Sequence, residues 1–140
     1  MDLTNSENII LRYALENSIY MDTCKSDYFN NKGFQEIFKL SKRFWDKYNE
    51  APSSLQLKEG VKMENLAGSI TDGEIDAVYG VELTKYQADW LAETTELFIE
   101  YKNLISSASD GIKYIQSTPV TSENIKHVID TFKNIVVERN

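Results

Sequence analysis

The 140-residue sequence is poor in backbone breakers, in cysteine and in positive charge. Six glycines and two prolines leave long segments uninterrupted, which suits helices better than a turn-rich all-β fold. A single cysteine, Cys24, excludes an intramolecular disulfide and makes a reducing compartment the easier home. No apolar run approaches the ~20 residues that span a bilayer. The first residues, Met1 to Glu7, lack the charged and apolar regions of a signal peptide. The expected location is the cytoplasm, with no membrane contact. Lys and Arg number 15 against 22 Asp and Glu, a net charge of −7. Nucleic-acid binding normally needs a basic face, because phosphate contacts supply most of the non-specific affinity. Residues 1–83 carry −5 and residues 84–140 carry −2, so neither part is basic and no direct nucleic-acid contact is expected.

What is present fits a folded domain. Hydrophobic residues make up 41% and charged residues 26%, both ordinary for a globular chain. Thr4 and Glu7 have capping-box spacing ahead of Ile9, Ile10, Tyr13 and Ala14, which predicts a helix over 7–18. Ile19, Tyr20, Met21 and Cys24 suggest a short second turn. Asn30-Asn31 then reads as a turn. Phe34, Ile37, Phe38, Leu40, Phe44, Trp45 and Tyr48 recur at spacings of three and four, with Lys39, Lys42, Arg43 and Lys47 on the other face. That pattern predicts a helix over 32–49, ending before Pro52. Ser53 or Ser54 can cap a fourth helix carrying Leu55, Leu57 and Val61, closed near Gly68. Thr71 and Glu74 make another box before Ile75, Val78 and Tyr79, with Gly80 as a stop.

The last third differs in pattern. Thr84 and Gln87 have capping spacing, and nothing clearly stops a helix from about 85 to 117, although Gly111 is a weak point. Such a helix would be roughly 50 Å long at 1.5 Å per residue. Trp90, Thr94, Leu97, Tyr101, Leu104 and Ala108 step by 4, 3, 4, 3 and 4, with Ile115 continuing the stripe. Leu91, Phe98, Ile105 and Ile112 step by seven beside it. Ser117-Thr118-Pro119 turns the chain into a helix over 122–138 bearing Ile125, Val128, Ile129, Phe132, Ile135 and Val136. The expected fold is all-α: a helical globule over 1–83 followed by a long antiparallel αα-hairpin over 84–140. The apolar band is wider than one partner helix covers, and such excess marks an oligomer contact. The candidate interface residues are Leu97, Phe98, Tyr101, Leu104, Ile105, Ile112, Val128, Ile129 and Phe132.

Chemistry is sparse. His127 is the only histidine, so no His-rich metal site is expected, and Cys24 reads as a small buried apolar side chain. No phosphate-binding glycine loop occurs. Asp72, Glu74 and Asp76 alternate, but an EF-hand counted from Asp72 needs Gly and Glu where Ala77 and Leu83 stand. These acids fit a helix N-terminus. Glu93, Glu96 and Glu100 lack the histidines of a carboxylate-bridged iron site and read as a solvated face. Lys39, Lys42, Arg43 and Lys47 are diluted by Glu36, Asp46 and Glu50 and read as an ion-paired face. No catalytic residue, metal or cofactor is expected.

The order of these elements resembles the N-terminal domain of DnaB-type replicative helicases, in particular the T-even-like phage branch. The resemblance begins at Glu7-Asn8-Ile9-Ile10-Leu11 with Ala14-Leu15. It continues through Asp27-Tyr28-Phe29 and Phe34-x-x-Ile37-Phe38-x-Leu40. Tyr48-Asn49-Glu50-Ala51-Pro52-Ser53 and Trp90-Leu91-x-x-Thr94 complete it. The resemblance implies a helical globule and hairpin whose hairpins pair between subunits. It implies a collar on which primase or helicase loader docks, with ATP hydrolysis left to a separate domain after a linker. For a phage-encoded protein the location would be the host cytoplasm. The alternative function is a stand-alone helical adaptor or inhibitor that binds a replication protein.

Overall fold

In the computed structural model the backbone is described for residues 4–139 and side chains for residues 5–134. Ile135 and Val136, which the sequence pattern places on the last apolar face, lie outside the described side chains. The described residues form α-helices and short 3-10 turns, with no strand. The helices are α1 (Glu7–Leu15), α2 (Ser18–Thr23), α3 (Lys32–Tyr48), α4 (Ser54–Met63), α5 (Asp72–Tyr79), α6 (Ala88–Ser117) and α7 (Ser122–Arg139). None is long and apolar enough to cross a membrane among the described residues.

Local chemistry sets the helix ends. Asn31 caps α3 by accepting from the Phe34 N–H at 3.0 Å, so the Asn-Asn turn is also a helix start. Ser53 and Gln56 form a reciprocal box at α4, and Thr71 and Glu74 form one at α5. The Thr4 side chain, half of the box expected with Glu7, lies outside the described side chains. The N-cap of α1 is Ser6, without a side-chain cap, and Glu7 Oε1 accepts from the Asn30 N–H at 2.8 Å. α1 stops at Leu15, short of the expected 18. α4 stops at Met63 rather than near Gly68, because Asn65 turns into the left-handed region at φ 57°. Asn49, at φ 59°, ends α3 in the same way. α6 starts at Ala88 rather than 85, because Leu83–Lys85 takes a 3-10 turn and the Gln87 carbonyl receives the first helical bond from Leu91. Gly111 does not interrupt α6.

The chain divides into two compact units, residues 1–96 and 97–140, and the division falls inside α6. The first unit holds a dense core. α1 contributes Ile10, Leu11, Ala14 and Leu15, and α3 adds Phe34, Ile37, Phe38 and Leu40. Leu57 and Val61 of α4 and Ile75 and Val78 of α5 complete it. Polar anchors tie its elements together: the Trp45 indole donates to the Leu15 carbonyl at 3.1 Å, and the Tyr79 hydroxyl donates to the Pro52 carbonyl at 2.6 Å. In the second unit Gly111 lies against the Phe132 ring, and the Tyr114 and His127 rings approach to 5.1 Å. The Thr118 hydroxyl donates to the Tyr114 carbonyl at 2.6 Å, and the Asn124 amide donates to the Pro119 carbonyl at 2.7 Å, fixing the turn into α7.

Candidate functional site

The second unit presents apolar surface at helical spacing. Leu97, Tyr101, Ile105, Ile112 and Ile115 on α6 are exposed, as are Ile125 and Ile129 on α7. On α6 the steps are 4, 4, 7 and 3, which keeps these side chains on one stripe. Ile105 is 46% exposed and Ile112 is 50% exposed. Ser107, Asp110, Gly111 and Tyr114 share a cleft of about 320 Å³ with His127, Val128 and Thr131 of α7. The α6 side of this cleft is small or polar apart from Tyr114, and it differs from the exposed stripe.

This geometry sorts the nine residues singled out in the sequence. Leu97, Tyr101, Ile105, Ile112 and Ile129 lie at the surface. Leu104, Val128 and Phe132 are half-buried. Phe98 is 1% exposed within the single chain, so it offers no surface to a second one. A repeat of seven carries no information about which of its positions is buried, which is why Phe98 and Ile105 look alike in sequence.

The other candidates resolve as follows. Cys24 is buried, and burial pushes its thiol up to about 12, far from the thiolate that a nucleophile requires. His127 is exposed beside Tyr114. Glu74 belongs to the α5 cap, and Asp76 pairs with Lys58 at 2.9 Å. Glu96 accepts from the Tyr20 hydroxyl at 3.0 Å; burial first and this bond second push Tyr20 up to about 12. Burial likewise pushes Tyr79 up to about 12. Lys39 pairs with Glu36, Lys42 with both Asp22 and Asp46, and Arg43 with Glu64. No group of acids, cysteines and histidine among the described residues is arranged to hold a metal.

One feature of the surface is missing from the sequence reading. A cleft of about 610 Å³ lies between α3 and α4, lined by Phe44 and Tyr48 on one side and Leu55, Gly60 and Met63 on the other. Leu55 is 70% exposed, whereas Leu57 and Val61 of the same helix are buried. Two residues along a helix is a turn of about 200°, so Leu55 cannot share a face with Leu57. Its neighbours one turn on, Lys58 and Glu59, carry that signal in the sequence.

No family model matches this chain, and no curated protein or solved structure matches it either.

Proposed function

We propose that the chain is a non-catalytic assembly domain, the N-terminal part of a phage-type replicative DNA helicase, which self-associates through α6 and α7 and carries a docking face for primase or helicase loader. The reading combines the family resemblance with one observation: large apolar residues stay at the surface along α6 and α7 although a well-packed core exists elsewhere in the chain. An exposed apolar stripe at helical spacing is the surface that a second helix pair buries. The contacts Gly111–Phe132 and Tyr114–His127 support an antiparallel αα-hairpin for residues 97–134. Residues whose burial is complete in one chain serve the fold, and Leu97, Tyr101, Ile105, Ile112 and Ile129 serve the assembly. An ordinary protein interface buries ~1,600 Å² in total, and such an interface needs several side chains of this size.

The test is sedimentation of the 140-residue chain beside Ile105→Asp/Ile112→Asp. Both positions are half exposed, so helicity by circular dichroism stays unchanged while the oligomer dissociates to monomers. A wild-type chain that sediments as a monomer at high concentration, or a double variant that keeps the wild-type mass, would remove the assembly role.

A further inference from the structure

The cleft between α3 and α4 takes no part in the assembly reading. We propose that it is a docking groove for a short amphipathic helix of a partner protein, acidic along one flank and basic along the other. Three of the exposed large apolar residues of the first unit, Tyr48, Leu55 and Met63, line this one cleft, and Met63 is 85% exposed. Apolar surface so concentrated is a recognition feature rather than scattered exposure. An unbranched, polarizable methionine at the rim adapts to the shape of an incoming side chain.

Charge defines the occupant. Arg43 and Lys47 stand on the α3 wall, Glu59 stands on the α4 wall, and Glu64 follows the end of α4. Arg43 and Glu64 pair with each other. Lys47 lies over the Tyr48 ring at 5.2 Å and has no carboxylate within ion-pair distance among the described residues; Glu59 is paired only within its own helix, with Lys62 at 3.5 Å. Outside that ion pair the α3 wall is thus cationic at Lys47 and the α4 wall anionic at Glu59. A helix with unlike flanks complements both walls, whereas a uniformly charged one is repelled by one of them. The ten residues of α4 give the groove a length of about 15 Å at 1.5 Å per residue. That accepts apolar anchors at i, i+4 and i+7, the register of helix-in-groove recognition. Exchanging the flanks of such a helix reverses its direction in the groove, because the walls differ in sign.

The probe is a synthetic 14-residue helix with leucines at i, i+4, i+7 and i+11, glutamates on one flank, lysines on the other and a nitroxide at its N-terminus. Saturable binding to the chain is expected, with amide shifts confined to α3 and α4. Leu55→Lys/Met63→Lys weakens it at least tenfold with unchanged circular dichroism. Exchanging the flanks moves the nitroxide broadening from one end of the groove to the other. The proposal is overturned by an absence of saturable binding, by shifts confined to residues 97–134, or by equal binding of a peptide with glutamates on both flanks. Self-association that depends on Leu55 would assign the groove to a second copy of the chain and overturn it as well. An absence of peptide binding, or equal binding of the all-glutamate peptide, leaves the α6 and α7 stripe untouched, and the Ile105→Asp/Ile112→Asp test leaves the groove untouched, so the two proposals fail separately.

Discussion

Residues 1–96 and 97–140 are made of the same materials and use them differently. Apart from Phe98, every fully buried apolar side chain among the described residues belongs to the first unit. The second unit has Leu97, Tyr101, Ile105, Ile112, Ile115, Ile125 and Ile129 at its surface, although its helices are the two longest. Helix length does not create a core. Five helices and their turns enclose one another's apolar faces in the first unit, whereas two helices alone cover only one face each. A helix with apolar residues on two faces needs a second neighbour, and the second unit contains only one.

The largest effect should separate the two units by burial. Ile37 is 0% exposed, and Ile37→Ala deletes buried methyl groups and leaves a cavity, a loss of about 2–5 kcal/mol. The same truncation at Ile105 removes atoms that already face solvent, so the isolated chain shifts by no more than ~0.5 kcal/mol. Urea denaturation of monomeric samples measures both. Equal losses would mean that Ile105 is covered within one chain, and the contrast between the units would disappear.

Much of this contrast is legible in the sequence, and its limits have physical causes. The α5 cap at Thr71 and Glu74, the apolar face of α3 and the start of α7 at Ser122 all follow from spacing rules, because those signals lie within one helical turn. Glu7, by contrast, has a partner 23 residues away, in the Asn30 N–H, which no spacing rule reveals. A tertiary contact of that kind leaves no local trace. The candidate surface was half legible: the stripe on α6 is visible as a period, but the burial of Phe98 depends on what packs against it. The α3–α4 groove was missed because it is a property of two helices together, and neither one carries it alone.

Two glycines sharpen the comparison at smaller magnitude. Gly33 is buried in the first turn of α3, and a Cβ there would fall on the Glu74 carboxylate. Glu74 is held by the Thr71 cap, so Gly33→Ala forces either a clash or the loss of that cap. The expected cost is about 1–3 kcal/mol. A Cβ at Gly111 would stand 2.7 Å from Phe132 Cζ, but Phe132 is only half-buried and its ring can swing outward. The gain in helix propensity from Gly to Ala, close to ~1 kcal/mol, then offsets the displacement. Gly111→Ala should leave stability within about 1 kcal/mol of wild type while shifting the Phe132 ring resonances. A loss at Gly111 as large as that at Gly33 would show the second unit to be as tightly packed as the first.

The smallest effect tests whether the units unfold together. Thr71 and Glu74 satisfy each other's backbone reciprocally, at 3.0 and 3.1 Å. At the start of α7 Thr121 accepts from the Asn124 N–H at 3.1 Å, but the Asn124 side chain turns to Pro119 instead of returning to the cap. Thr71→Ala and Thr121→Ala each remove about 1 kcal/mol of helix stabilisation. At Thr71 that loss should lower the denaturation midpoint of the whole first unit, because α5 carries Ile75 and Val78 in the core. At Thr121 it should instead speed amide exchange in the first turn of α7 and leave the midpoint unchanged, since local opening there uncovers little buried surface. Identical midpoint shifts would mean that α7 opens only with the rest of the chain. The apolar stripe would then belong to one cooperative body and not to a separately stable unit with a free face.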